Sequence, residues 1–336
     1  MAPDGEAEQR ARFLLEARLI SGFEYERDRP AGAQTEPGEK EYGFEVHQAR
    51  VGVEAELDGL SLDLNLELAD ALERNTGGGA DSPPYVRTAT LEYRFSRALR
   101  LKVGRYKRPF SRLALESALD LPLRGRGLVD GLLIEDNQWG DHAVGAELSG
   151  RLQPAKLRWY LSLTNPSWSP ALRNEGLDVL GRVQLSPVKR LTVGLNAGYK
   201  RLRLAGSDEG TSNFGIGADI AWKIAGAHFA LEGSFADLPF ETGRPRGFGA
   251  HLMVDYELAL SENLALQPVV FAELADADAK LSETESLRLA FGANLLIAGG
   301  FRVMPQLALV RSVGDTSQLN PWLESERFSL VLSLAL

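Results

Sequence analysis

Residues 60–69 read Leu-Ser-Leu-Asp-Leu-Asn-Leu-Glu-Leu-Ala, so Leu60, Leu62, Leu64, Leu66 and Leu68 share one face of an extended chain, and Ser61, Asp63, Asn65 and Glu67 the other. A period of two marks a β-strand lying between an apolar and a polar medium. The pattern recurs along the whole chain. Phe214, Ile216, Ala218, Ile220, Trp222 and Ile224 share a face, as do Phe248, Ala250, Leu252, Val254, Tyr256 and Leu258, and finally Phe328, Leu330, Leu332, Leu334 and Leu336. Counting every such run predicts sixteen strands, at about 12–26, 42–57, 60–71, 85–95, 98–106, 142–150, 156–164, 178–186, 189–203, 213–224, 227–237, 247–259, 263–275, 285–298, 300–312 and 324–336.

The connections alternate in length. Asp58-Gly59, Ser96-Arg97, Arg151 to Ala155, Pro187-Val188, Ala225-Gly226, Leu260 to Glu262 and Gly299 are short. The stretches at about 27–41, 72–84, 107–141, 165–177, 204–212, 238–246, 276–284 and 313–323 are longer and rich in turn formers. An even strand count with short turns at one end and long loops at the other predicts an all-β fold, a sixteen-stranded antiparallel up-and-down barrel of the outer-membrane type, with residues 1–336 as one domain. Closure removes the unpaired edges that so many strands would otherwise expose. A soluble sandwich or propeller is the alternative, but neither has reason to repeat one apolar face through every strand of a single meander.

Composition removes other classes. No window approaches ~18 uninterrupted apolar residues, so only a closed barrel could span a bilayer. Cysteine is absent, and with it disulfides and thiolate chemistry. His47, His142, His228 and His251 stand far apart, in no metal-ligand spacing, and no cofactor is implied. A net charge of −9 argues against a nucleic-acid partner. The opening Met-Ala-Pro-Asp-Gly-Glu lacks the features of a signal peptide, so an exported chain would already have shed its leader.

In hydrocarbon a charged side chain costs about 2–4 kcal/mol at mid-depth, so the charge-free face is expected to meet lipid. Aromatics near strand ends (Phe23, Tyr25, Tyr42, Phe44, Tyr93, Phe95, Tyr199, Phe235, Tyr256, Phe301, Phe328) suit interfacial girdles. On the inner face, strands one to three offer Glu16, Glu24, Glu54, Glu56, Asp63 and Glu67 beside Arg18 and Arg50. The same parity places Arg94, Arg100, Lys102, Arg158, Arg182, Lys200, Arg288, Arg302 and Arg327 inside. Opposed walls of this kind set up a transverse field that orients a dipolar solute; the simpler reading is that most of these charges pair across the lumen.

The longest loop, 107–141, follows an unusually basic stretch. Arg97, Arg100, Lys102, Arg105, Lys107, Arg108, Arg112, Arg124 and Arg126 face only Glu116 and Asp120 between residues 97 and 126. Ser111 to Leu119 predicts one or two helical turns, with Ser111 as N-cap and Leu115, Ala118 and Leu119 on one side. Folded inward, the loop narrows the pore and favours anions. Left outside, its cations would bind lipopolysaccharide phosphates.

Leu-Lys-Val-Gly-Arg-Tyr-Lys-Arg-Pro-Phe-Ser (101–111), Trp-Gly-Asp-His-Ala-Val-Gly-Ala-Glu-Leu-Ser-Gly (139–150) and Tyr-Leu-Ser-Leu-Thr-Asn-Pro (160–166) together resemble the phosphate-selective porin family. That family carries a similar G-x-aromatic-K-x-P-F element, here through Lys107, Pro109 and Phe110. The resemblance implies a homotrimer with its constriction beside the third loop. Two departures stand out. Where the family's second strand often reads Arg-Arg-Ala-Arg, this chain has His47, Gln48, Ala49 and Arg50, keeping one arginine, and it ends on Leu336 where an aromatic is usual.

The expectation is therefore an outer-membrane porin that passes small hydrophilic solutes or ions by diffusion, with anions, phosphate among them, preferred. Arg50, Arg100, Lys102, Lys107, Arg108, Arg112, Arg124 and Arg126 are the candidate anion-attracting residues, and Glu116 and Asp120 their counter-charges. Lipid, lipopolysaccharide and small ionic solutes are the expected partners. A structural barrel sheathing a lumen or envelope protein, as a tether or a redox or secretion conduit, is the alternative. A barrel enzyme is disfavoured, because no G-x-S-x-G element accompanies the lone His142.

Overall fold

The computed structural model describes residues 11–29, 39–69, 85–118, 120–166, 172–174, 176–204, 210–239, 243, 245–281, 284–313 and 324–335. Residues 1–10, Leu119, Leu336 and much of the predicted loops at 27–41, 72–84, 165–177, 204–212 and 313–323 lie outside that set. The barrel strands are β1 (Arg12–Arg29), β2 (Glu39–Leu57), β3 (Leu60–Glu67), β4 (Tyr85–Arg94), β5 (Arg100–Lys107), β6 (His142–Leu152), β7 (Leu157–Thr164) and β8 (Asp178–Leu185). They continue as β9 (Leu191–Leu204), β10 (Gly210–Ile224), β11 (Ala227–Asp237), β12 (Arg246–Tyr256), β13 (Leu264–Asp276), β14 (Glu285–Ile297), β15 (Phe301–Val313) and β16 (Glu324–Ala335). Leu258–Ser261 prolongs β12, and the three-residue segment Leu172–Asn174 pairs with the end of β9.

Each strand pairs antiparallel with its neighbours, and β1 closes on β16 from Arg18 opposite Ala335 to Arg29 opposite Glu324. The result is the closed antiparallel 16-strand barrel that the alternation predicts. Among the described residues no helix is long and apolar enough to cross a membrane. Ile216, Ile220, Leu252 and Leu332 point outward and are exposed, while their chain neighbours Asp219, His251 and Val331 are buried inside. Aromatic pairs sit on the outer surface, Phe23 on Phe44 and Tyr199 on Phe214.

Two local features depart from strict alternation. The register slips where Ile20 opposes Gln48 but Ser21 opposes Val46, leaving His47 unpaired. It slips again where Asn65 opposes Thr88 but Leu66 opposes Val86, leaving Arg87 unpaired. A bulge of this kind re-aims the extra side chain. The inner face is also not polar throughout. On β10 to β14 it carries Ala221, Ala230, Met253, Val269, Phe271 and Ala290, an apolar patch on the wall of a wet lumen.

The outward face should reject charge and the inward face accept it. Ile216→Arg is expected to lower stability by about 2–4 kcal/mol in urea unfolding from lipid vesicles, and Ser61→Arg on the wet face to change it little. Equal losses would mean that the two faces do not meet different media.

Candidate functional site

The third loop, between β5 and β6, folds into the lumen, and its two ends are fixed by buried charge. Arg108 is 1% exposed. Its Nη1 donates to Asp178 of β8 at 2.8 Å, its Nε to the Asp141 carbonyl at 3.0 Å, and its Nη2 to the Gln138 carbonyl. Lys200 of β9 donates to the Gln138 carbonyl at 2.8 Å and lies 3.8 Å from Asp178. Removing one partner of such a pair costs roughly 3–5 kcal/mol, because the other is left buried and uncompensated. Arg108 therefore departs from the sequence expectation: it anchors the loop and is not a wall cation open to solutes.

Trp139 is the apolar anchor. Its indole donates to the Asp237 carbonyl at 2.8 Å, Phe110 packs 5.6 Å from it between ring centroids, and Lys200 lies 4.8 Å from its ring centre. The ring occupies a slot that only glycine leaves open. A Cβ on Gly198 would stand 2.9 Å, and one on Gly215 3.0 Å, from its carbons.

Between the anchors, inward side chains of the far wall hold the loop backbone. Ser111 caps the short helix α1 (Arg112–Leu115), its Oγ accepting from the Ala114 amide at 3.0 Å. Glu232 of β11 accepts from the Arg112 and Leu113 amides, both at 3.0 Å. Glu273 of β13 accepts from Leu128 at 2.7 Å and Val129 at 2.9 Å. Gly127 makes that approach feasible, since a Cβ there would lie 2.3 Å from the Glu273 carboxylate. Gln306 accepts from the Arg124 amide, and Asn294 donates to the Pro122 carbonyl. Leu113, Leu121 and Leu123 cover the apolar wall patch. The helix is shorter than the sequence suggests and buries Leu113 and Ala114, with Leu115 exposed. A π-helical turn, Asp130–Asp136, follows that the sequence does not announce.

The loop then crosses to β1 and β2. Arg18 donates to Ser117 Oγ at 3.2 Å. Arg124 pairs with Glu24, lies 3.4 Å from Glu45 and bonds His47 Nδ1 at 3.2 Å. Glu24, Glu45 and His47 gather donor atoms within 4.8 Å of one another, the kind of set that holds a metal, but the Arg124 guanidinium already bonds to all three. Burial, then repulsion from Arg327 and Arg288, pushes Arg124 down to about 10, so it stays a cation at neutral pH. The bulge at His47 turns this side chain toward the loop.

The wall of β2 to β5 brings its own cations beside the loop. Arg50 lies opposite Glu67 and pairs with it at 2.7 Å; Tyr85 lies on the other side of Glu67, so the β4 bulge delivers Arg87 to the same depth. Arg87 makes no hydrogen bond or ion pair among the described residues, yet its charge acts on Arg50, Lys107 and the loop's Arg126. Lys107 donates to the Ala114 carbonyl. Arg126 donates to the Leu113 and Glu116 carbonyls at 3.2 and 2.8 Å. Burial pushes the loop's Asp130 carboxyl up to about 7, against the pull of Arg126 and Lys107.

The other candidates stand elsewhere. Arg100 and Lys102 pair with Glu92 and Glu147 toward the short turns, where Lys102 lines a chamber of about 340 Å³. Arg112 pairs with Glu116, and Asp120 is exposed. Arg87 escapes a parity reading because Tyr85, Leu91 and Tyr93 share its parity. A charge at a lipid-facing position was the signal that β4 carries a bulge.

Residues 25–167 match the sequence profile of the family described as phosphate-selective porin O and P. No curated protein sequence matches the chain. Among solved structures it resembles an anion-selective porin from Comamonas acidovorans, with a TM-score of 0.72 at 12% identity over 97% of this chain and 100% of that one. The outer-membrane channel DcaP of Acinetobacter baumannii gives 0.69 at 10% identity over 97% of both chains. The trimer form of OmpT, an outer-membrane protein of Vibrio cholerae, gives 0.66 at 13% identity over 97% of this chain and 99% of that one. The fold is that of bacterial outer-membrane porins.

If Trp139 and its glycine slot hold the loop in the lumen, Trp139→Ala removes about 3–5 kcal/mol of packing. The expected result is larger single-channel conductance and new trypsin cleavage at Arg124 and Arg126. Unchanged conductance and protease resistance would mean that the loop is held without it.

Proposed function

We propose that this chain is an outer-membrane porin through which small hydrophilic solutes diffuse, with anions preferred at the gap between the third loop and the β2–β5 wall. The observation that carries this reading is Arg87. It is a guanidinium with no partner among the described residues, set among Arg50, Lys107 and Arg126, at the level where the loop narrows the lumen. A guanidinium offers planar paired donors suited to carboxylate and phosphate oxygens. A charge about 6 Å from a passing anion attracts it by ~0.7 kcal/mol even in water, roughly threefold in local concentration. The match of residues 25–167 to the phosphate-selective porin profile supports phosphate among the solutes, and the likeness to a porin titled anion-selective supports the sign.

The same reading extends to a homotrimer. Phe13, Leu15, Tyr42 and Phe44, on the outer face of β1 and β2, are 70–86% exposed and offer an apolar surface to a neighbouring barrel. The Vibrio cholerae relative recorded as a trimer supports this assembly. Lipopolysaccharide is the expected neighbour at the long-loop end.

Arg87→Gln combined with Arg126→Gln is expected to lower the anion-to-cation permeability ratio by about threefold per charge, read as a shift in reversal potential across planar bilayers in a salt gradient. Arg112→Gln, whose charge is already paired with Glu116, should shift it little. An unmoved reversal potential in the double variant would remove the constriction from this account.

A further inference from the structure

On the long-loop side of the third loop lies a chamber of about 420 Å³, bounded by loop residues 124–128, Asp130, Gly131 and Glu135 and by the inner faces of β1, β14, β15 and β16. That volume falls within the range of small-molecule sites. Its walls carry both signs of charge, yet several of those charges are committed elsewhere: Arg327 to Glu26, Arg288 to Glu273 and Arg124 to Glu24. The uncommitted groups are what a solute would meet.

Asp130 is one of them. It is 5% exposed and its Oδ1 has no hydrogen-bond partner among the described residues. A buried carboxylate oxygen left unsatisfied costs about 1–3 kcal/mol, which a ligand that donates a hydrogen bond would recover. Among the described residues Asp28 Oδ1 is likewise buried without a partner, and Glu135 reaches the chamber exposed and without an ion pair. Arg126 lies on the same wall. Its Nε and one terminal nitrogen hold backbone carbonyls, and among the described residues no partner takes its other terminal nitrogen. A plain anion entering here meets four carboxyl groups, and a plain cation meets four arginines.

We infer that this chamber is a binding site for small dipolar solutes of the amino-acid class, with the ammonium group received by Asp130 and Glu135 and the carboxylate by Arg126. The inference rests on the channel reading, and it specifies a solute class that a purely cationic constriction would not select. With the ammonium held by the loop's carboxylates, the carboxylate end points toward Arg126 and, beyond it, the cations of the β2–β5 wall. The site thus orients the solute before it enters the gap.

The test is isothermal titration calorimetry of L-serine into the detergent-solubilised protein, with N-acetylglycine and propylamine as the carboxylate-only and ammonium-only probes. L-serine is expected to bind at least tenfold more tightly than either. Glu135→Gln, at an exposed position, should weaken L-serine binding at least threefold, and Asp130→Asn and Arg126→Gln should do so further. Equal binding of N-acetylglycine would make the chamber an ordinary anion site, equal binding of propylamine a cation site, and no heat from L-serine would remove the site; each overturns the inference. Chloride current through the same preparation in planar bilayers separates these outcomes from a failure of the channel reading, because that current does not depend on L-serine.

Discussion

A chain that crosses hydrocarbon must pair every backbone N–H and C=O with another, because lipid offers no partner and each orphan costs several kcal/mol. Closure of β1 on β16 meets that demand, and everything else in this protein follows from it. A closed sheet has two faces and no edges. One face becomes the charge-free belt of Ile216, Leu252 and Leu332, and the other encloses a space that must be filled, lined or left to water. Sixteen strands are too many for their own side chains to fill that space. The third loop divides it.

The loop holds its position because the far wall is prepared for it. Glu232 and Glu273 are buried carboxylates, costly groups when unpaired, and each is satisfied by two loop amides. Between them the wall turns apolar, and Leu113, Leu121 and Leu123 cover what would otherwise be hydrophobic surface facing water. The arrangement is reciprocal: without the loop, the wall of β10 to β14 would expose Met253 and Phe271 to the lumen. Arg124 then ties the loop to Glu24, Glu45 and His47 on the opposite side. The loop is therefore braced across the barrel, from the wall of β11 and β13 to that of β1 and β2.

The barrel was legible in the sequence because it is written in a period of two repeated through every strand, and no local chemistry competes with that signal. The inward course of the loop was legible only in principle. Met253, Val269 and Phe271 stand at inward parity in strands that otherwise present polar groups there, and apolar residues on a wet wall indicate something covering them. The site was harder to read because its cations differ in what they do, and sequence separates them only by spacing. Arg108 and Arg126 stand in the same basic stretch, yet Arg108 is sealed against Asp178 through a contact between distant strands. Arg87 lay hidden for a local reason, a one-residue slip opposite Leu66 that reverses its face. His47 follows the same rule in β2, which also gives that departure from the family's arginine-rich second strand a place beside the loop.

The proposed porin function requires a water-filled path, lined on one side by cations and on the other by the third loop, through a lipid-spanning barrel. The zero-current potential of the unmodified protein in a planar bilayer, with dilute and concentrated potassium chloride on opposite sides, tests it most directly. Stepwise conductance with a potential displaced toward the chloride equilibrium value is the predicted result. A membrane that shows no discrete steps after the protein has inserted, or a potential displaced toward the potassium value, would contradict it.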